Sequence, residues 1–244
     1  MIKIGTSGWS YNHWFSKFYP RDLPKKQSFT YYQSAFDSVE LNVSFYRLVP
    51  EQVYKGWQSK VSESFVFAVK ASRYITHVKR LKDFKAFETF IGPVMALKPN
   101  LGPILFQLPA NFKKDPERLA EFVKELPDNL SFVFEFRNNT WFDSEIYEIL
   151  ESKNISMAVS RSATFPYKEQ KTADFTYLRL HGPGRLYASN YTDEELGKWA
   201  DKALKWDGSG QDVFMFFNND FEAFAPFNAI KLKELIKKKV KKAA

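Results

Sequence analysis

Two stretches show the alternation of this chain most clearly, Phe-Val-Phe-Glu-Phe-Arg at residues 132–137 and Tyr-Leu-Arg-Leu-His at residues 177–181. Side chains in a β-strand point alternately to opposite faces. Both stretches therefore predict strands with one apolar face and a second face that ends in charged groups. Glu135 and Arg137, and Arg179 and His181, stand on that second face near the downstream ends. We expect other elements to cover the apolar face and the polar ends to form a site.

The same register recurs along the chain. Strands are predicted at the first residues and at 38–42, 66–70, 105–107, 133–137, 156–160, 177–181 and 214–218. Their polar face carries Glu40, Asn42, Lys70, Gln107, Glu135, Arg137, Ser160, Arg179, His181 and Asn218. A closed parallel barrel collects polar groups from the carboxyl ends of several strands into one active site. The pattern therefore predicts an α/β fold of the TIM (β/α)₈ barrel type.

Segments of helical periodicity separate the predicted strands. Thr192-Asp-Glu-Glu195 is a capping box, and Asp115-Pro116 is a helix cap followed by a first-turn proline. Further helices are expected at 50–61, 84–91 with an interruption at Gly92-Pro93, 144–150 and 227–240. Strands that alternate with helices form parallel sheets through crossovers.

An open doubly wound sheet is the competing architecture. No Gly-x-Gly-x-x-Gly follows the first strand, and the polar strand ends are not concentrated at one switch point. Both observations favour the barrel. Residues 161–174 lack an apolar helical stripe, so the sixth crossover is expected to be irregular, with a loop in place of its helix.

The length of 244 residues suits one TIM-barrel domain over residues 1–244, which typically takes roughly 250 residues. The absence of cysteine excludes disulfides, thiolate catalysis and zinc sites that use sulfur. No signal peptide and no membrane-spanning apolar stretch are visible, so we expect a cytoplasmic protein without a membrane partner. The net charge of +8 is compatible with nucleic-acid binding, although part of it lies in a basic tail at 237–244.

Three residues are the candidate catalytic groups. His181 lies at a strand end, where an imidazole could transfer protons near neutral pH. Glu135 lies beside Arg137, which would keep the carboxylate ionised as a base or an orienting group. Glu40 ends another strand. The alternative is a structural histidine and a satisfied internal ion pair.

The other candidates would bind the substrate. Cationic and amide groups at the mouth point to an anion, and the Gly5–Trp9 turn could cradle one with Thr6 and Ser7. Aromatic loop residues could stack on a sugar ring or a base. The full set is Thr6, Ser7, Trp9, Asn42, Tyr46, Lys70, Gln107, Arg137, Trp141, Arg179, Asn218, Asn219 and Asp220. Ser72 and Arg73 also end the third strand, and Tyr74, Thr76 and His77 lie in the loop after it.

A metal site could be built from Glu135, His181 and Asp220, with Glu40 as a further ligand. No metal motif with fixed spacing occurs, and arginines beside Glu135 and His181 would repel a cation. We therefore expect no metal and no cofactor.

Many short motifs, in order, resemble those of the YecE-like proteins, domain-of-unknown-function family 72, from residue 1 to about residue 236. They are Gly5-Thr-Ser-Gly-Trp9, Val39-Glu-Leu-Asn42, Phe45-Tyr-Arg47, Phe67-Ala-Val-Lys-Ala71, Ile75-Thr-His77, Leu105-Phe-Gln-Leu-Pro109, Glu135-Phe-Arg137, Trp141, Leu178-Arg-Leu-His-Gly182 and Phe217-Asn-Asn-Asp220.

The resemblance implies a TIM barrel but supplies no activity. That barrel is similar to the xylose isomerase and endonuclease IV group, whose members use metals on sugar phosphates or abasic DNA. This chain lacks an obvious set of the His and carboxylate ligands of endonuclease IV, and it has Ser160 where the sixth strand of relatives is expected to end in aspartate.

The resulting hypothesis is an enzyme of hydrolase or isomerase type acting on a small phosphorylated or carboxylated molecule. The alternatives are a nucleic-acid-binding barrel and a small-molecule-binding protein without turnover.

Overall fold

The computed structural model describes residues 1–243 and forms a mixed α/β fold. The strands are β1 Ile2–Thr6, β2 Ser38–Leu41, β3 Val66–Lys70, β4 Leu101–Gln107, β5 Phe132–Glu135, β6 Ser156–Met157, β7 Val159–Arg161, β8 Phe175–Leu180 and β9 Asp212–Phe217. The α-helices are α1 Ser28–Ala35, α2 Val43–Tyr46, α3 Glu51–Gln58, α4 Phe84–Val94, α5 Pro116–Glu125, α6 Ser144–Glu151, α7 Asp193–Gly208 and α8 Phe224–Ala243.

All strand pairs within the sheets are parallel, as the alternation with helices predicted. One sheet has four strands in the order β1-β9-β8-β7, and the other has five in the order β2-β3-β4-β5-β6. The sequence predicted one closed sheet, whereas the structure contains two separate hydrogen-bonded sheets. The expected strand at 156–160 is divided into β6 and β7 at Ala158.

The two sheets approach each other closely at both junctions. A parallel bridge joins Ser7 to Glu40, and a Cβ added to Gly5 would lie 2.2 Å from the carbonyl oxygen of Ser38. Only glycine allows the backbones of β1 and β2 this approach. The other junction lies within the chain, because Ala158 links β6 of one sheet to β7 of the other and its N–H donates to the carbonyl of Phe134 on β5.

The core has two parts that follow the alternation. The larger cluster packs the helices against the apolar strand face, including Val39, Phe67, Phe106, Phe134 and Met215. The smaller cluster lies on the opposite face and combines residues from both sheets, namely Ala68, Leu105, Val133, Ala158, Ala173, Phe175, Tyr177, Phe214 and Phe216. The polar strand ends continue this second face.

Most helix predictions hold. The Thr192 capping box opens α7, and the Asp115 carboxylate accepts from the N–H of Arg118 at the start of α5. The interruption at Gly92-Pro93 is wrong: Pro93 lies in the last turn of α4, where a missing N–H costs only one helical hydrogen bond. Helices α1 and α2 were not predicted, and residues 162–174 hold neither helix nor strand. Within residues 1–243, none of the helices combines the length and apolar character needed to cross a bilayer.

Candidate functional site

A cavity of about 520 Å³ opens at the carboxyl ends of the strands. It is lined by Tyr11, Asn42, Phe45, Tyr46, Lys70, Arg73, His77, Gln107, Arg137, Arg179, Tyr187, Asn218 and Asp220. Four of these side chains carry basic groups, and four carry aromatic rings other than imidazole. Eight of the residues were predicted from the sequence to bind substrate.

Arg179 on β8 forms the floor and is 1% exposed. Its Nε donates to Glu40 Oε2 and its Nη2 to Glu40 Oε1, each at 2.8 Å. Its Nη1 donates to Glu135 Oε2. One guanidinium therefore joins β2, β5 and β8 across the two sheets.

Glu40 is fully buried and receives further hydrogen bonds. Ser7 Oγ and Tyr177 Oη donate to its two oxygens at 2.7 and 2.8 Å, and Asn42 Nδ2 donates at 3.2 Å. Burial alone would raise the pKa of Glu40, but the charge and hydrogen bonds of Arg179 outweigh it and leave that pKa below its usual value. Glu40 is thus an ionised anchor for Arg179.

Glu135 is equally buried and accepts from Arg137 Nε at 2.8 Å. Burial acts to raise its pKa, yet Arg179 and Arg137 hold the pKa of Glu135 well below the usual value. Arg137 lies over the ring of Phe165, with 4.2 Å to the centroid, and its side chain is 14% exposed. Nε is occupied and one N–H of Nη2 donates to Tyr187 Oη at 3.5 Å, so Nη1 and the second N–H of Nη2 remain for a ligand in the cavity.

Lys70 on β3 differs from Arg137 and Arg179 because no carboxylate among residues 1–243 pairs with it. Its Nζ donates to Gln107 Oε1 at 2.9 Å and lies 4.0 Å from the centroid of Phe45. Within the described chain it forms no ion pair. Burial, followed by the charge of Arg179, lowers the pKa of Lys70 to about 7. A substantial fraction of this amine is therefore neutral at neutral pH.

His181 lies beneath the cavity and is fully buried. One ring nitrogen lies 3.0 Å from Ser160 Oγ, and the other lies 3.1 Å from Asn218 Nδ2. Burial, with the charge of Arg179, lowers the pKa of His181 to about 3. The neutral imidazole orients Asn218, which itself lines the cavity.

Tyr187 covers one side of the floor. It adopts φ 62°, a left-handed conformation that is unusual for an aromatic residue. Its ring meets His181 edge to face, and its hydroxyl lies 3.5 Å from Arg137 Nη2. The loop begins at Gly182, where φ is 102° and a Cβ would lie 2.7 Å from Ser189 Oγ. This turn therefore requires glycine.

The rim of the cavity is more open. Tyr46 is 79% exposed, and Arg73 is exposed without an ion-pair partner among residues 1–243. Burial lowers the pKa of His77 to about 4, with the charge of Lys70 as the next cause. Burial raises the pKa of Asp220, whose Oδ2 lies 3.5 Å from His13.

A groove of about 460 Å³ adjoins the cavity and shares Tyr11 and Asn42 with it. Trp9 and Trp57 line this groove, and Trp9 also packs on Phe29 with 4.5 Å between ring centroids. Trp9 was predicted at the mouth and instead belongs to this groove, because its ring is held against the α1 and α3 side chains.

Besides Trp9, four predicted binding residues lie outside the cavity. Thr6 is buried against Tyr32, and Ser7 is occupied by Glu40, so the Gly5–Trp9 turn is built into the sheet junction. Trp141 is fully buried, stacks on Phe136 at 4.9 Å and donates to the carbonyl of Phe112. Its place in the core follows from the short 3₁₀ helix that turns it inward.

Asn219 is the fourth of these residues outside the cavity. Its side-chain Nδ2 donates to the carbonyl of Ser189 and to Asn228 Oδ1, and so links the end of β9 to both residues. Tyr11, Phe45 and Tyr187 are cavity residues that sequence reasoning missed. They lie on loops or short helices outside any strand register, so the alternation gave no signal for them.

The candidate ligands Glu135, His181 and Asp220 do not form a metal cluster. Among residues 1–243, no group of three His, Asp or Glu side chains is placed to hold an ion. Glu135 is held by two arginines, whereas Asp220 faces His13.

Comparisons with known proteins identify relatives over nearly the full length. Residues 3–244 match the family model described as "Protein of unknown function DUF72". The UPF0759 protein YunF of Bacillus subtilis (strain 168) is 26% identical, covering 97% of this chain and 95% of that protein.

Two solved structures are similar. A DUF72 family protein from Thermotoga maritima superimposes with a TM-score of 0.85 at 28% identity, over 97% of this chain and 99% of that one. A DUF72 family protein from Enterococcus faecalis gives a TM-score of 0.77 at 19% identity, over 97% and 96%, and supports the fold alone.

Proposed function

The chain belongs to the DUF72 family of proteins of unknown function, and from that premise we propose that it is an enzyme acting on a small anionic molecule in the cavity. The observation that carries the proposal is the set of basic groups around a cavity of about 520 Å³. Arg179 is neutralised by Glu40 and Glu135, but Lys70 and Arg73 are not paired with carboxylates in the described chain. These two groups and the outer nitrogens of Arg137 would bind a phosphate or carboxylate.

The same contacts support a division of roles. Glu40 and Glu135 act as positioning residues for Arg179 because their oxygens are occupied by its donors. His181 positions the Asn218 amide. Lys70 is the group best suited to exchange a proton with a substrate, since its pKa of about 7 allows both protonation states. Such chemistry fits a hydrolase or an isomerase.

The proposal includes a closed TIM barrel of one domain. The Ser7–Glu40 bridge and the division of one strand at Ala158 support closure of the two sheets at both junctions. The small core cluster, which takes side chains from both sheets, would then be the barrel interior. A closed parallel barrel places its active site at the carboxyl ends, where this cavity opens.

The test measures the turnover of a panel of phosphorylated and carboxylated compounds, with NMR to detect the products. Lys70→Met and Arg137→Met should each reduce the turnover of any substrate found by about 10²-fold or more. Lys198→Met is the matched control, because that lysine lies on the exposed surface of α7, where it pairs with Glu194. Equal turnover by all three variants would refute the assignment.

A nucleic-acid interface is the second candidate. Tyr46 and Tyr74 are 79% and 49% exposed near the mouth, and Arg73 lies beside Tyr74 in the chain. Exposed aromatic rings can stack on bases while basic groups contact phosphates. Oligonucleotide binding that weakens steeply with salt, and that is lost in Tyr46→Ala, would support it. No binding at low salt would exclude it.

A further inference from the structure

Lys70 differs from every other basic group of the cavity in its chemistry. It carries the cavity's primary amine, and its one hydrogen bond within residues 1–243 goes to Gln107 Oε1 at 2.9 Å. A neutral amine that donates one N–H in this way keeps a lone pair. The ring of Phe45 closes one side of the amine at 4.0 Å. The side chain is nevertheless part of the cavity lining and so can be reached by a bound molecule.

Resting on the proposed function, we propose that Lys70 forms a covalent imine with the aldehyde or ketone carbonyl of an anionic substrate. The lone pair of Nζ attacks the carbonyl carbon, and the carbonyl π electrons move to oxygen. Transfer of a proton from nitrogen to oxygen gives a carbinolamine. Protonation of its hydroxyl from the solvent-open cavity releases water and leaves a protonated imine. The step consumes one proton, releases one water and needs no oxidant or reductant.

The surroundings suit this step for two reasons. An amine attacks a carbonyl only in its neutral form, and burial together with Arg179 lowers the pKa of Lys70 to about 7. A lysine of ordinary pKa, about 10.4, is neutral for less than roughly one part in 10³ at pH 7. In addition, Arg73 and Arg137 line the same cavity and can hold the carboxylate or phosphate of the substrate.

The substrate class follows from these groups. It is a small carbonyl compound that also carries a carboxylate or a phosphate, such as a 2-oxo acid or a phosphorylated aldehyde. A neutral ketone would lack the arginine contacts, so its capture should be weaker.

The experiment is reductive trapping with pyruvate and, separately, glycolaldehyde phosphate. The full-length protein is incubated with each at pH 7, treated with sodium borohydride, and analysed by intact mass and peptide mapping. A single adduct on Lys70 is expected with at least one of the two probes, and acetone at the same concentration should give at least roughly tenfold less. Trapping should decline as the pH is lowered below about 7, because the amine becomes protonated.

Two variants and one binding measurement complete the test. Lys70→Arg keeps a positive charge but removes the primary amine and should abolish the adduct. Lys79→Arg, at a half-buried lysine that lies over the ring of Tyr74 and pairs with Asp83, should leave the adduct unchanged. If Lys70→Arg does not fold, peptide mapping of the wild-type protein decides alone.

Malonate, an anion without a ketone or aldehyde carbonyl, separates this inference from the proposed function. Thermal stabilisation by malonate without any trapped adduct would overturn the imine and leave the anion site standing. If malonate does not stabilise the protein and neither probe gives an adduct, both the imine and the proposed anion site are overturned. Adducts spread over surface lysines, with none enriched at Lys70, would also overturn the imine.

Discussion

Removal of Arg179 should destabilise the fold strongly, because two buried carboxylates lose their shared partner. Arg179 is 1% exposed, Glu40 and Glu135 are 0% exposed, and three guanidinium nitrogens donate to them. Deleting one member of a buried ion pair typically costs about 3–5 kcal/mol. Since Glu135 keeps Arg137 and Glu40 keeps Ser7, Asn42 and Tyr177, we expect Arg179→Met to fall within that range. For a chain of this size the midpoint should drop by roughly 6 to 20 °C.

The assay is urea unfolding at pH 7, followed by fluorescence of the buried Trp14 and Trp141. The matched control is Arg179→Met combined with Glu40→Gln and Glu135→Gln, which removes the uncompensated charges and should regain most of the loss. A loss below about 1 kcal/mol, or no recovery in the triple variant, would refute the reasoning.

The pH dependence has a defined sign. In the wild-type protein the pKa values of Glu40 and Glu135 are lowered. Their contribution to folding stability is therefore fully present above the unfolded pKa of about 4.3, and it is lost as the pH falls through their folded pKa values. Without Arg179, burial raises both pKa values instead. The loss of folding stability in Arg179→Met relative to the wild-type protein should therefore be largest near neutral pH and smaller toward pH 5.

Three further predictions concern stability, each measured by urea or thermal unfolding. Lys70→Met should stabilise the protein by roughly 1 to 4 kcal/mol at pH 6, since burial lowers the pKa of Lys70 to about 7 and so penalises its charged form. The gain should shrink between about pH 7 and pH 10, because the proton that folding removes from the lysine is released at less cost as the pH approaches the unfolded pKa of about 10.4. A gain that stays constant over this range would contradict the prediction. Trp141→Ala should lower the free energy of unfolding by about 3–5 kcal/mol but leave malonate affinity unchanged, because the ring packs on Phe136 in the core. Weaker malonate binding by the folded variant would show that Trp141 belongs to the binding site. Gly182→Ala should cost about 1–3 kcal/mol, because φ is 102° and the added Cβ would meet Ser189, and an unchanged midpoint would show that the loop adapts.

The strands and the floor of the site could be read from sequence because both follow from one periodicity. Alternation at 132–137 and 177–181 predicted β5 and β8 and placed Glu135 and Arg179 on the same face. The pattern also predicted that Glu40 would lie there, and the three side chains meet in one ion network.

The rest depends on tertiary contacts that periodicity does not encode. Tyr187 reaches the cavity through a left-handed turn, and Trp141 is turned into the core by a short 3₁₀ helix. The pKa of Lys70, and with it the protonation state of the amine, is likewise set by burial and by Arg179, which is distant in sequence and lies on β8. The residues at the strand ends predicted a cationic mouth, but only the tertiary structure separates Arg179, which is neutralised, from Lys70, which has no carboxylate partner among residues 1–243.

An anion located in the cavity by crystallography would show whether its basic groups form a binding site. Crystals soaked in selenate would show anion positions in an anomalous difference map. We expect a peak within the cavity, between the side chains of Lys70, Arg73 and Arg137, that is absent from crystals of Arg137→Met. Peaks confined to surface lysines such as those at 237–242, with the cavity empty, would contradict it.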